Sequence, residues 1–304
     1  MGHGRWSGTD WRNWAGRNTA GRSAAEIFTS DGLLPEYDPA RIRMRESRDG
    51  PDNAASTPIV LASDVTGSLG EVARILMQDK LGLLVSEILA RKPVSDPHIM
   101  AMAVGDATCD RAPLQATQFE ADIRLAEQMR QLFLEGGGGG NGGESYALPW
   151  LFCATKTATD SLEKRGKRGY LFSFGDEPIL PIVTREEARQ FLGLRLERDA
   201  TAAECLGLAQ RRYDVFHVLL REGFSAQDRG FREAVATWQP LLGKRLLVLD
   251  DYRNLAELVV SAIQVAEGLD PDEAASSWAS ASAAASVRAA LALPKPGLFG
   301  GLFR

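Results

Sequence analysis

Short apolar runs alternate with longer stretches of helical periodicity from about residue 58 onward, and this alternation constrains the fold more than any other feature. Apolar runs of this length are typical of strands buried on both faces, as in a parallel sheet. Each helical stretch between them is expected to cover one face of that sheet. The predicted strands are residues 59–62, 99–104, 170–174, 215–220 and 245–249, with a short edge strand near Leu114.

The helical patterns are clearest at residues 69–89 and 255–266. Together with the strands they predict an α/β fold with a doubly wound, mostly parallel central sheet of about six strands flanked by helices. The predicted domain comprises residues 58–268. It is preceded by an N-terminal arm, residues 1–57, and followed by an Ala-rich spacer and C-terminal tail, residues 269–304.

The N-terminal arm is rich in Gly, Arg, Asn, Asp and Ser, so it is expected to lie over the domain or to stay mobile. Trp6, Trp11 and Trp14 alternate there with arginines, a pattern that could stack on the bases of single-stranded nucleic acid. The alternative, in which these tryptophans dock the arm onto the domain, is favoured by the net charge of -5.

Composition limits the partners and the compartment. With 35 basic and 40 acidic residues, the chain has no general attraction to nucleic acid or to anionic membranes. Its 3 cysteines form no disulfide or zinc pattern, which indicates a reducing compartment. No secretory signal or membrane span is recognisable, so a cytoplasmic location is expected. The tail ends in Leu-Phe repeats that predict either a disordered end or a docking peptide.

A cluster of oxygen-bearing side chains follows the first predicted strand. Asp64, Thr66 and Ser68 alternate at the carboxyl end of that strand, where open parallel sheets bind ligands. Side chains of this kind suit a hard cation such as Mg²⁺ or Mn²⁺. Ser68 and Glu71 also match a helix capping box, so turn chemistry remains an equal alternative for this segment alone.

Two later segments could complete such a site. The Gly-rich loop at residues 136–143 lacks the Lys-Ser/Thr pair of a phosphate-binding P-loop, and it leads to Ser145 or, less favourably, Glu144 as a further oxygen ligand. A plain flexible linker is the alternative. Asp176 ends another apolar strand; if the two strands are neighbours, Asp176 lies beside Asp64 and the paired carboxylates favour a cation.

These motifs resemble the metal-ion-dependent adhesion site of the von Willebrand factor A family, which has an Asp-x-Ser-x-Ser strand end, a later Thr or Ser, and a further Asp. The resemblance covers about residues 58–268 and implies that family's Rossmann-like fold. It implies Mg²⁺, or else Mn²⁺ or Ca²⁺, held by Asp64, Thr66, Ser68, Ser145 and Asp176. It further implies a non-enzymatic adaptor, in which an Asp or Glu of a protein partner completes the coordination of the metal.

Other segments resemble a bacterial subgroup of that family, notably residues 45–47, 105–110 and 113–120. Asp106 and Asp110 could line the same face as the site, although a loop acid is more often solvated, and direct contact of Asp106 with the metal is not favoured. The resemblance implies a further candidate partner, a MoxR-type AAA+ ATPase system.

The main alternative is an enzyme. The segment from Asp64 to Ser68 also resembles the nucleophile motif of haloacid dehalogenase-like phosphatases, which use Mg²⁺ and would make Asp64 the nucleophile. A helical pattern begins directly after it, where that superfamily usually has a flap. No histidine is an evident general base: His3 lies in the arm, His98 ahead of the second strand, and His217 in a core strand.

Overall fold

The computed structural model describes residues 4–65, 81–134, 142–221 and 228–292. Ten strands occur in these ranges: β1 (Arg45–Ser47), β2 (Thr57–Asp64), β3 (Pro97–Val104), β4 (Leu114–Ala116), β5 (Thr157–Thr159), β6 (Gly169–Gly175), β7 (Ile182–Val183), β8 (Ala200–Thr201), β9 (Tyr213–Leu220) and β10 (Leu246–Leu249). The α-helices described there are α1 (Gly8–Asn18), α2 (Ala24–Ile27), α3 (Leu81–Arg91), α4 (Arg124–Met129), α5 (Ala147–Lys156), α6 (Asp160–Arg165), α7 (Arg185–Leu192), α8 (Ala202–Ala209), α9 (Arg229–Leu242), α10 (Leu255–Ala266), α11 (Pro271–Ser276) and α12 (Ala281–Leu291).

The central sheet has six strands in the order β10-β9-β6-β2-β3-β4. Neighbouring strands are parallel except at one edge, where β4 pairs antiparallel with β3. The prediction of a mostly parallel α/β sheet flanked by helices is therefore confirmed. All of the predicted strands are present, and the helix predicted at residues 255–266 coincides with α10. The longer helix predicted at residues 69–89 is described only from Leu81 onward, as α3.

Alternate residues of each central strand enter two separate hydrophobic clusters. Ile59 and Leu61 of β2 pack in one cluster with apolar residues of α1, α3, α4, α10 and α12. Val60 and Ala62 pack in the other with apolar residues of α5, α7, α8 and α9. Successive side chains of a strand point to opposite faces, so the near-continuous apolar sequence of β2 matches its burial from both sides.

The N-terminal segment packs directly on the first of these clusters. Trp11 and Trp14 of α1 are only 6% and 5% exposed, and the indole nitrogen of Trp6 donates to the carbonyl of Pro97 over 2.8 Å. Gly82 in α3 permits close approach of the helices, because an added Cβ would overlap the indole ring of Trp11. These contacts favour docking of the arm over stacking of its tryptophans on nucleic acid.

The Ala-rich segment near the C-terminus forms α11 and α12. Ala275, Val287 and Ala290 are buried in the same cluster as the N-terminal tryptophans. The tail at residues 293–304, including its Leu-Phe repeats, lies outside the described residues. None of the described helices is long and apolar enough to cross a membrane.

Candidate functional site

The site forms around Asp64, the last residue of β2. Strand β2 lies at the centre of the sheet between β3 and β6, and Asp64 pairs with Val104 at the end of β3. The side chain of Asp64 is fully buried. Strand β2 extends two residues beyond the predicted end, which places this carboxylate in the sheet itself. Thr66 and Ser68, the other predicted ligands of this motif, lie outside the described residues.

Ser145 lies next to the loop that follows β3. Its backbone N–H donates to the carbonyl of Gly105 over 3.3 Å, and its hydroxyl accepts from the backbone N–H of Ala107 over 2.9 Å. Ser145 is 6% exposed. A serine hydroxyl has two lone pairs, so its oxygen can accept this hydrogen bond and still coordinate a cation.

Tyr146 connects this segment to Asp64. Its hydroxyl donates to Oδ2 of Asp64 over 2.8 Å, and both side chains are fully buried. Tyr146 also approaches the end of β6, where an added Cβ at Gly175 would overlap the phenol oxygen. One hydroxyl therefore contacts the carboxyl ends of β2 and β6 at the same time.

Asp176 follows Gly175 directly after the end of β6. Strands β2 and β6 are parallel neighbours, as the sequence-based hypothesis required. Asp64 at the end of β2 and Asp176 after the end of β6 therefore lie at the same edge of the sheet. Burial, reinforced by the charge of Glu177, raises the pKa of Asp176 to about 6. The raised pKa shows that the ionised form is poorly solvated, and a nearby cation would reverse this effect.

Glu144 is the third carboxylate near Tyr146. Its side chain is 4% exposed, and its backbone exchanges hydrogen bonds with Pro178 and Leu180 over 2.9 and 3.1 Å. Burial, followed by the charges of Asp64, Asp176 and Glu144, holds the pKa of Tyr146 far above its ordinary value. The phenol thus lies in a region of negative potential.

Asp106 is buried, and the expectation that it is solvated is wrong. Its carboxylate accepts from the backbone N–H and the hydroxyl of Thr108, over 2.9 and 2.7 Å, and from the thiol of Cys109 over 3.1 Å. Its own N–H donates to Asp110 over 2.7 Å. These bonds assign Asp106 to the internal structure of the loop that contacts Ser145.

His98 lies within β3 and not ahead of it, because the strand begins at Pro97. Nδ1 of His98 is 3.2 Å from the hydroxyl of Ser47. His217 is fully buried in β9, as predicted, with Nδ1 at 2.9 Å from the hydroxyl of Ser173. Its ring stacks on Trp238 at 3.6 Å and forms part of the wall behind Tyr146.

The structure thus brings Asp64, Ser145 and the start of the Asp176 loop to one end of the sheet. Tyr146 is the residue that sequence reasoning did not assign to the site. Its only sequence signal is its position after Ser145, at the point where the Gly-rich loop meets a helix.

Carboxylate and hydroxyl oxygens of this kind fit a hard divalent cation. The three carboxylates whose charges raise the pKa of Tyr146 are the observation in favour of that fit. In the ranges that the structure describes, no group of three or more His, Cys, Asp or Glu side chains is arranged to hold a metal ion. The described carboxylates would therefore need hydroxyl oxygens to complete the ligand set.

Comparison with known proteins gives limited likeness. No protein-family model and no curated protein matches the chain. Two solved structures of the pilus adhesin SpaC from Lactobacillus rhamnosus GG align with it. The open conformation gives a TM-score of 0.44 at 10% identity over 68% of this chain, and a second form gives 0.48 at 9% over 69%. In both cases the chain spans 30% of the adhesin's length.

Proposed function

We propose that this protein is a divalent-metal-dependent protein-binding module, with the metal held at the carboxyl ends of β2 and β6. The observation that carries the proposal is that the hydroxyl of Tyr146 joins Asp64 to the end of β6, directly before Asp176, while the neighbouring Ser145 contacts the loop that follows β3. Asp64, Ser145 and Asp176 come from different segments, and together they offer the oxygen donors that Mg²⁺ or Mn²⁺ prefers.

The strand order supports this placement. Numbered along the chain, the six central strands lie in the order 3-2-1-4-5-6, which is common to doubly wound sheets. In such sheets ligands bind outside the carboxyl ends of the strands where the order reverses. That point lies here between β2 and β6. We therefore include the doubly wound arrangement and the resemblance to the von Willebrand factor A family in the proposal.

The roles of the chain's own residues follow from their chemistry. Asp64, Ser145 and Asp176 would hold the ion together with Thr66 and Ser68, and Tyr146 would orient Asp64. A bound divalent cation would supply positive charge that attracts an Asp or Glu of a protein partner. A component of a MoxR-type AAA+ ATPase system is the partner that the family resemblance suggests.

The first experiment is calorimetric titration of Mg²⁺ and Mn²⁺ into metal-free protein. We expect saturable binding by the wild type that is weakened at least about tenfold in Asp64→Asn and in Ser145→Ala, since each loses a ligand. Ser161→Ala is the matched control, because Ser161 is a buried serine of α6 outside the site. No binding by the wild type contradicts the proposed metal site.

Partner binding needs its own measurement. An immobilised peptide with one Asp and its Asn counterpart are compared in Mg²⁺ and in EDTA, and we expect only the Asp peptide in Mg²⁺ to bind. A phosphoester assay under the same conditions addresses the phosphatase alternative. Metal-dependent turnover that is lost in Asp64→Asn would contradict the proposed binding function and support the phosphatase instead.

A further inference from the structure

A groove of about 500 Å³ lies between α1 and α3. Small residues line much of it, together with the ring of Trp11 and the side chain of Arg12. An added Cβ at Gly16, in the exposed part of α1, would meet nothing within 4 Å. Glycine weakens a helix, and the packing of the described residues gives no reason for one at this position. The α1–α3 groove is therefore open where Gly16 lines it.

The indole N–H of Trp11 is an unsatisfied donor at this groove. The N–H groups of the other two N-terminal tryptophans donate to the carbonyl of Pro97 and to the carboxylate of Glu127. Nε1 of Trp11 is buried and has no hydrogen-bond partner among the described residues. This edge of the ring faces Gly82, which also lines the groove, because an added Cβ there would overlap Nε1. Since an unpaired buried donor is costly, an oxygen atom brought into the groove beside Gly82 would be favoured.

The charge of this face is opposite to that of the whole chain. Residues 4–22 contain four arginines and one aspartate, whereas the chain has a net charge of -5. The guanidinium of Arg12 lies at the groove, where an added Cβ at Gly8 would be 3.6 Å from its Nη1 and 3.9 Å from Oγ of Ser86. Its hydrogen bond goes to the hydroxyl of Thr9 over 3.4 Å, and it forms no ion pair with a described residue. An acidic ligand would therefore find a cation that is not already neutralised.

We propose that the α1–α3 groove binds an acidic peptide segment of a partner protein. A carboxylate of the peptide pairs with Arg12, and the peptide backbone lies against Gly8 and Gly16, where the absence of side chains leaves room for it. A backbone carbonyl beside Gly82 accepts from Nε1 of Trp11. Single-stranded nucleic acid is also negatively charged, but it is less favoured because the ring of Trp11 is buried and not open to stacking. This surface uses neither Asp64 nor a metal ion.

The test selects peptides from a random-sequence library on the full chain, in EDTA so that the proposed metal site plays no part. We expect the selected peptides to be enriched in Asp and Glu. The affinity of the strongest binder is then measured by fluorescence polarisation. It should weaken at least about tenfold in Arg12→Glu, which reverses the charge at the groove, and in Gly16→Leu, which fills it.

Arg195→Glu and Gly207→Leu are the matched controls. Arg195 is an exposed arginine that follows α7 and forms no ion pair with a described residue. Gly207 is an exposed glycine of α8, and an added Cβ there would meet nothing within 4 Å. Neither residue lines the α1–α3 groove. Both variants should keep the wild-type affinity for the peptide, and equal unfolding midpoints would show that the groove variants remain folded.

Three outcomes would overturn the proposal. The selection yields no acid-rich peptide, or the peptide binds Arg12→Glu and Gly16→Leu as tightly as the wild type. Alternatively, Arg195→Glu loses as much affinity as Arg12→Glu, which would show attraction to the overall charge and not to the groove. Oligothymidylate is titrated in parallel. If it binds through Arg12 while acidic peptides do not, the groove is a nucleic-acid site and the assignment to a peptide is wrong.

Discussion

At the residue scale, the surroundings of buried ionisable groups determine which of their protonation states the fold favours. The hydroxyl of Tyr146 donates to Asp64, whereas the ring of His98 is hydrogen-bonded, among the described residues, through Nδ1 to the hydroxyl of Ser47. Burial lowers the pKa of His98 to about 4, although the charges of Asp96 and Asp49 oppose this shift. The folded state therefore favours the neutral imidazole.

This shift predicts a pH dependence of stability. Because folding lowers this pKa, the neutral form of His98 contributes to the free energy of unfolding above pH 6.5, the pKa of the unfolded state. That contribution is lost as the pH falls towards 4. Between pH 7 and pH 5 the free energy of unfolding of the wild type should fall by about 2 kcal/mol more than that of His98→Gln. Denaturant unfolding at several pH values measures this difference. Parallel pH profiles for the two proteins would contradict it.

At the element scale, the contact between α1 and α3 depends on a residue without a side chain. Gly82 lies in α3, where alanine would ordinarily favour the helix by about 1 kcal/mol. Its added methyl group would overlap the ring of Trp11, however, so the two helices would have to separate. Which effect dominates can be measured directly.

We expect Gly82→Ala to lower the free energy of unfolding by about 1–3 kcal/mol, because overpacking outweighs helix propensity. Gly16→Ala in α1 is the matched control, since an added Cβ there meets nothing within 4 Å. That variant should be stabilised by up to about 1 kcal/mol. Chemical denaturation of both variants measures the signs, and stabilisation by both would show that α1 does not pack closely on α3.

At the scale of the whole molecule, the first and the last long helices that the structure describes, α1 and α12, enter one core. Trp11 and Trp14 from the N-terminal segment share a hydrophobic cluster with Val287 and Ala290 of α12. We therefore expect a chain that begins at residue 23 to unfold at a much lower denaturant concentration. Loss of one buried tryptophan typically costs about 3–5 kcal/mol.

Asn13→Ala is the control for that truncation, because Asn13 is an exposed residue of α1. It should unfold with the wild-type midpoint and in a single transition. If the truncated chain kept the wild-type midpoint, residues 1–22 would be a loosely attached arm and not part of the folded core.

The sequence by itself determined the strands, because a buried parallel strand must be apolar along its length and residues 170–174 or 215–220 have no competing pattern. It also placed Asp64 and Asp176 at strand ends, since each acid stands two residues after an apolar run. The short edge strand near Leu114 and helix α10 could also be predicted, because both follow from local sequence patterns.

Only the tertiary structure determined which residues lie against the strand ends that carry Asp64 and Asp176. Pairing of β2 with β6, and the hydrogen bond of Tyr146 to Asp64 across 82 positions of sequence, depend on how distant segments pack. Burial of Asp106 was likewise unreadable, because a carboxylate in a polar loop is normally solvated and only the local fold supplies its three donors. Local patterns set secondary structure, whereas contacts between distant residues set the environment of each charge.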